Sequence, residues 1–169
     1  MVSSDFMILG LGSNLGDRQQ NLTQALDLLK EHFTWQGRSK IYSSAAVDYV
    51  DQPPFYNLVA QFALPPTSPQ GALQTCLALE NQLGRQRIIS RGPRNIDIDL
   101  LFWSIQQINT PFTTHFPATI VPHPRLWQRS FVFFLLQELP AASILQQAFP
   151  QEWDKAEREL KSSDLQLVE

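Results

Sequence analysis

The sequence predicts an α+β fold with a mainly antiparallel sheet and helices on its faces. Residues Phe55 to Leu64 alternate at period two, as a strand does. Asp17 to Phe33 carries Leu22, Ala25, Leu26, Leu29 and Phe33 at helical spacing. Strand-like and helix-like segments mix without the strict alternation of a doubly wound parallel sheet.

Taken in order, Phe6 to Leu11 reads as an apolar strand and Gly10 to Gly16 as a turn into a helix, with Asp17 as its N-cap. Asn14 supplies local hydrogen bonds in that turn. Lys40 to Tyr42 reads as a second strand. In Phe55 to Leu64, the residues Tyr56, Leu58, Ala60, Phe62 and Leu64 form a core face. The opposite set, Phe55, Asn57, Val59, Gln61 and Ala63, suits a half-open ligand face. Ser68 and Pro69 start a second helix that stops at Gly84. Arg85 to Pro93 is a basic loop, Asn95 to Phe102 a strand, and Asn109 to Pro124 a loop. Leu126 to Leu139 reads as an apolar helix stopped by Pro140. The tail from Gln151 is charged and predicts a solvated surface helix with a frayed end. Neither repeat nor linker interrupts the chain, so residues 1–169 are expected to form one domain.

At 43% hydrophobic residues the chain carries enough apolar surface for a folded core. The longest apolar run, Phe131 to Leu136, is too short to span a bilayer. With no signal-like segment and only Cys76, the expectation is a soluble cytoplasmic protein without a disulfide or a cysteine-rich metal site. A net charge of -3 argues against nucleic acid as a partner. Yet every basic residue between Gln52 and Gln151 is an arginine: Arg85, Arg87, Arg91, Arg94, Arg125 and Arg129. Arginine grips phosphate oxygens bidentately, so this segment suggests a local anionic ligand.

The sharpest feature is Asp97-Ile98-Asp99. On a strand its two carboxylates share one face, about 7 Å apart at the Cα atoms. Left alone they repel, and a divalent cation would remove that penalty; hard oxygen ligands suit Mg²⁺. A strand with a solvent-facing acidic side is the plain alternative for the tripeptide taken by itself. Arg85, Arg87, Arg91 and Arg94 just before it change the balance. Acids for metal and arginines for phosphate are the two halves of a phosphoryl-transfer site. Gly92-Pro93 between them would allow a lid. Glu80, at the edge of its helix's apolar stripe, reads either as the partner of an arginine of the following loop in an ion pair or as a catalytic residue. His123 between two prolines is rigidly placed and suits a phosphate ligand, or is a turn residue without function. The glycine turn is neither a Walker A loop nor a dinucleotide fingerprint. A nucleotidyltransferase built on Gly12-Ser13 and the paired acids, and an RNA-binding domain stacking bases on Phe55 and Tyr56, are competing readings. The wide separation of Gly12-Ser13 from the acids disfavours the first; the acidic balance disfavours the second.

Five blocks, in order, resemble one family. They are Gly10 to Arg18, Asp51 to Asn57, Glu80 with Leu83-Gly-Arg85, Arg91 to Leu101, and Val121 to Arg125 with Arg129-Ser-Phe131. The sequence is similar to the 6-hydroxymethyl-7,8-dihydropterin pyrophosphokinases from about Met7 to Leu139. That resemblance implies a ferredoxin-like fold acting as a monomer. It implies transfer of pyrophosphate from ATP to the hydroxymethyl group of the pterin, releasing AMP, in folate synthesis. It makes Asp97 and Asp99 the ligands of two Mg²⁺ ions and, with Arg85 and Arg94, the catalytic set. Arg85, Arg87, Arg91, Arg94, Ile98, His123 and Arg129 would face ATP. Phe55 and Phe131 would sandwich the pterin, Asn57 would bond its polar edge, and backbone from Ser44 to Val47 would do likewise. Ser43 to Asp48 lacks the prolines that the family often shows there.

Overall fold

In the computed structural model, which describes residues 5–47, 51–85, 92–104 and 121–169, β1 (Phe6–Ser13) runs through a six-stranded sheet. It pairs on one side with β4 (Phe55–Ala63) and on the other with β5 (Asp97–Trp103). Beyond β4 lie β2 (Trp35–Arg38) and β3 (Tyr42–Ser44), and β3 pairs in turn with β6 (Leu165–Leu167). Every pairing is antiparallel. Helix α1 (Arg18–His32) follows β1, and α2 (Pro69–Gln82) joins β4 to β5. The spatial order β5-β1-β4-β3 with these crossovers is the ferredoxin-like arrangement.

Local chemistry sets the helix ends as the sequence predicts. The Asp17 carboxylate accepts the Gln20 N–H at 3.0 Å, and the Ser68 hydroxyl accepts the Gly71 N–H at 3.1 Å. Pro69 fills the first turn of α2, and Gly84 leaves it at φ +80°.

Side chains from α1 and α2 cover one face of the sheet. Leu22, Ala25, Leu26 and Leu29, with Ala72, Cys76 and Leu79, pack on Met7, Leu9, Leu11, Leu58, Ala60, Phe62, Ile98 and Leu100. The other face is covered over part of its length by α3 (Ser130–Leu136), α4 (Ala142–Ala148) and α5 (Pro150–Glu159). Their Val132, Phe133, Leu136, Leu145, Trp153 and Ala156 meet Phe6, Ile8, Val59, Leu101 and Phe102. A bulge in β5 makes this possible: Ile8 opposes Phe102 and Leu9 opposes Leu100, which leaves Leu101 over. Leu101 and Phe102 therefore both reach the second face, while Trp103 returns to the first.

Several predicted segments shift. The second strand is Tyr42–Ser44, not Lys40 to Tyr42, and β2 ahead of it is a short polar strand that no alternation marks. The helix expected from Leu126 begins only at Ser130, because residues 121–128 turn back on themselves. The half-open face of β4 is open only near Phe55. Val59 and Gln61 are buried, and the Gln61 carbonyl accepts the Ala141 N–H at 2.9 Å. The tail's helix is exposed over most of its length, as expected, but it docks one edge into the core and its end does not fray. Its helix buries Trp153 and Ala156, and its last residues form β6. The loop from Asn109 lies outside the described residues up to 120. No helix among the described residues is long and apolar enough to cross a membrane.

Trp153 is 5% exposed, with Phe133 at 5.2 Å and Trp127 at 6.1 Å between ring centroids. Trp153→Ala is expected to cost about 3–5 kcal/mol in urea unfolding. A cost under about 1 kcal/mol would return this helix to the surface.

Candidate active site

The register of β1 aligns the candidate residues in rows. Gly12 stands between Asn57 on β4 and Asp97 on β5; Gly10 stands between Val59 and Asp99. Gly12 leaves the sheet open between Asp97 on one side and Asn57 and Phe55 on the other, whereas Leu101 closes over Gly10. A Cβ on Gly12 would lie 3.4 Å from Asn57 Oδ1 and 3.5 Å from the Phe55 ring. A Cβ on Gly10 would lie 3.0 Å from Leu101 Cδ1. The sequence reading placed these glycines in a turn. Their spacing of two within an apolar strand was the available signal for a cleared face.

Asp97 is pinned by cations. Arg85 reaches Asp97 Oδ1 at 2.7 Å and also pairs with Glu80; Arg94 approaches Asp97 Oδ2 at 3.3 Å. Glu80 is buried and does more than its predicted ion pair, because its Oε1 accepts the Ile98 N–H at 2.7 Å. That N–H lies on the outer edge of β5, where no further strand among the described residues accepts it. Burial pushes the Glu80 pKa up, and the Ile98 N–H opposes the shift. Arg94 also lies over Phe55, its guanidinium carbon 5.2 Å from the ring centroid.

Asp99 differs. Among the described residues its carboxylate makes no hydrogen bond or ion pair. Burial first, and then the charge of Asp97, push its pKa up to about 7, against the pull of Arg129 and Arg94. A divalent cation would supply the missing positive charge. Among the described residues no three His, Cys, Asp or Glu side chains gather to cage an ion. The donor set of two carboxylates fits Mg²⁺, which takes its remaining ligands from water and phosphate. Arg85 Nε and Arg94 Nε are buried without a hydrogen-bond partner among the described residues, and phosphate oxygens would satisfy them.

His123 is docked on the sheet by its backbone, whose N–H donates to the carbonyl of the bulged Leu101 at 2.9 Å. Its Nδ1 accepts the Arg125 N–H at 3.1 Å, so Nε2 carries the proton in the neutral ring. Burial, then Arg129 and Arg125, push its pKa down to about 4. At neutral pH it offers an N–H donor rather than a charge. Arg129 lies over Phe131, 5.4 Å from the ring centroid.

Asn14 joins the two sides, which the sequence reading missed. Its bonds are long-range rather than local. Backbone N–H and side-chain Oδ1 both meet the Arg94 backbone, at 3.1 and 2.8 Å. Its Nδ2 donates to Gln52 Oε1 and the Pro53 carbonyl, each at 3.0 Å. One buried amide thus ties the arginine segment to the loop before Phe55.

Of the predicted residues, the structure gathers Arg85, Arg94, Asp97 and Asp99, with Phe55 in contact with Arg94. Asn57 donates to Ser44 Oγ at 2.8 Å. Val47 is 59% exposed and forms no part of that cluster. The Ile98 side chain lies in the core opposite the acids, so only its backbone is available to a ligand. Arg87 and Arg91 lie outside the described residues.

Fold and site together define a class: an α+β protein with a ferredoxin-like sheet that sets two acids and two arginines beside an aromatic residue. The chain belongs to the family described as 7,8-dihydro-6-hydroxymethylpterin-pyrophosphokinase, whose model matches residues 8–141. A curated relative from Bacillus subtilis, 2-amino-4-hydroxy-6-hydroxymethyldihydropteridine pyrophosphokinase, is 38% identical over 78% of this chain and 75% of its own. The Aquifex aeolicus protein of the same name is 35% identical over 78% of each. A mitochondrial folate synthesis bifunctional protein of Arabidopsis thaliana is 34% identical over 82% of this chain, which spans only 24% of that protein. In the wild-type Plasmodium falciparum HPPK-DHPS crystal structure the fold recurs with a TM-score of 0.63 at 11% identity, over 96% of this chain and 48% of that one.

Asp99→Asn is expected to stabilise the metal-free protein at pH 8, as a rise of several degrees in Tm. The folded pKa of about 7 lies above the unfolded value near 3.9, so the carboxylate's penalty is full above pH 7 and fades as pH falls toward 4. Melting curves at pH 4, 6 and 8 check this; an equal Tm gain at all three would contradict it.

Proposed function

We propose that the chain transfers pyrophosphate from ATP to the hydroxymethyl group of 6-hydroxymethyl-7,8-dihydropterin and releases AMP, as a step of folate synthesis. The observation that carries the reading is the opening at Gly12, with Asp97 and Asp99 along one side and Phe55 and Asn57 along the other.

Asp97 and Asp99 would hold two Mg²⁺ ions, and bound metal neutralises phosphate oxygens and orients them for in-line displacement. Arg85 and Arg94 exchange Asp97 for phosphate, and Glu80 keeps hold of Arg85 while they do. His123 donates its Nε2 proton to a phosphate oxygen, and Arg129 faces the same charge. Arg87 and Arg91, from the loop before Gly92, and the backbone of Ile98 complete the ATP side. Phe55 and Phe131 stack on the pterin, and Asn57, positioned by Ser44, reads its polar edge. The pterin hydroxyl oxygen bonds to the β-phosphorus as the bond from that phosphorus to the α-phosphate bridging oxygen breaks. The electron pair leaves with AMP and the hydroxyl proton passes to solvent. Alignment and charge neutralisation do most of this, and no side chain stands as a general base. The reading includes a monomer, since the candidate residues gather within one copy, and a cytoplasmic location, suited to a single thiol.

The test is incubation with ATP, Mg²⁺ and the pterin, following the nucleotide product. AMP is expected; release of free pyrophosphate would instead make the chain a nucleotidyltransferase. Asp97→Ala and Asp99→Ala are each expected to lose about a thousandfold or more in turnover while remaining folded. Turnover like the wild type in either variant would remove the metal assignment. Phe131→Ala is expected to raise KM for the pterin about tenfold, with KM for ATP nearly unchanged.

A further inference from the structure

The segment from Leu160 to Glu169 lies outside the stretch matched by the family model, which ends at 141. It nonetheless touches both supports of the proposed heterocycle half. On one side β6 pairs with β3, with Ser44 opposite Leu165 and Tyr42 opposite Leu167. The Val168 N–H extends the contact to the Ile41 carbonyl at 2.9 Å. On its other edge β3 sets Ser44 opposite Phe55 and Tyr42 opposite Asn57. Ser44 Oγ then accepts the Asn57 amide. Strand β3 is three residues long, so β6 supplies one of its two flanking ladders.

On the other side, the turn Ser162–Asp164 reaches α3. Asp164 Oδ2 accepts the Ser130 hydroxyl at 3.2 Å, and Ser130 is the residue before Phe131. Leu160 and Leu165 pack against the same cluster that Phe131 lines. Gln19 and Arg38 hold Glu169 at 2.8 and 2.9 Å. No hydrogen bond or ion pair joins the segment to Arg85, Arg94, Asp97 or Asp99 among the described residues.

We propose that residues 160–169 are a positioning element for the heterocycle, fixing Phe131 relative to Phe55, Asn57 and Ser44 and leaving the metal and phosphate half to the arginines and acids. This rests on the assignment of the pterin to Phe55, Asn57 and Phe131. Loosening the segment widens or misaligns the aromatic slot. Arg85, Arg94 and Asp97, braced through Asn14 and Glu80, do not feel it.

The test compares full-length Asp164→Ala, Asp164→Asn, Val168→Pro and Asn57→Ala in steady-state kinetics, with melting curves for each. Asp164→Ala removes the bond to Ser130, and Asp164→Asn keeps an acceptor there. Val168→Pro removes the N–H that meets Ile41. The expected result is a rise in KM for the pterin of about threefold or more in Asp164→Ala and Val168→Pro, with KM for ATP within about twofold and Asp164→Asn near the wild type. Asp164→Ala breaks one exposed bond and decides the matter by itself should Val168→Pro not fold. A parallel rise in both KM values, a fall in turnover alone, or no change would overturn the positioning role. Asn57→Ala separates the two ideas. A raised pterin KM there with unchanged tail variants overturns only this inference; an unchanged pterin KM in Asn57→Ala overturns the assignment of the heterocycle itself.

Discussion

The pairing of β1 with β4 on one edge and β5 on the other places every other part of the site. Its register sets Asn57, Gly12 and Asp97 in one row and Val59, Gly10 and Asp99 in the next. Because side chains alternate at period two, a slip of one residue would turn the acids into the core and expose Ile98 and Leu100. Large apolar groups on both sides of the sheet resist such a slip. The groove is thus held in place by packing at some distance from its chemistry.

Charge is arranged around that groove with unequal compensation. Asp97 is held by Arg85 and Arg94, and Arg85 is shared with the buried Glu80. Asp99 lacks such a partner among the described residues. Without ligand, one acid is already neutralised by the groups that would grip phosphate, and the other carries a desolvation penalty. On the proposed function, binding a metal–phosphate unit would replace one set of pairs with another and relieve that penalty. The structure sacrifices stability where function needs charge, a common pattern at active sites. The nearby histidine follows the same economy in reverse: pushed down to about 4, it contributes a directed N–H without adding a further cation beside Arg125 and Arg129.

Legibility in the sequence followed physical range. The helix caps at Asp17 and Ser68 were readable because they act within a turn. Asp97 and Asp99 on one face followed from strand geometry alone, and the pairing of Glu80 with an arginine from its place on α2. The role of Asn14 was not readable from local pattern, and that of Gly10 and Gly12 only from their spacing of two within an apolar strand. Asn14 bonds to residues far along the chain, and the glycines matter for what they leave out. The tail read as a solvated helix because charges dominate it, while its burial rests on Trp153, Ala156 and a three-residue strand. A strand so short has no periodicity to detect; only its partner β3 defines it. The family resemblance carried the substrate side, since an aromatic and an amide on one strand do not identify a ligand unaided.

Cys76 sits at zero exposure between α2 and the sheet, its thiol pushed up to about 12 by burial and then by Glu80 and Asp99. Thiol reagents act through the thiolate, which this site suppresses, and access is blocked as well. The chain is thus a chemically silent background for labelling. A cysteine installed at an exposed position such as Val47 would be the one reactive thiol in the molecule, and it could be labelled without altering the native one.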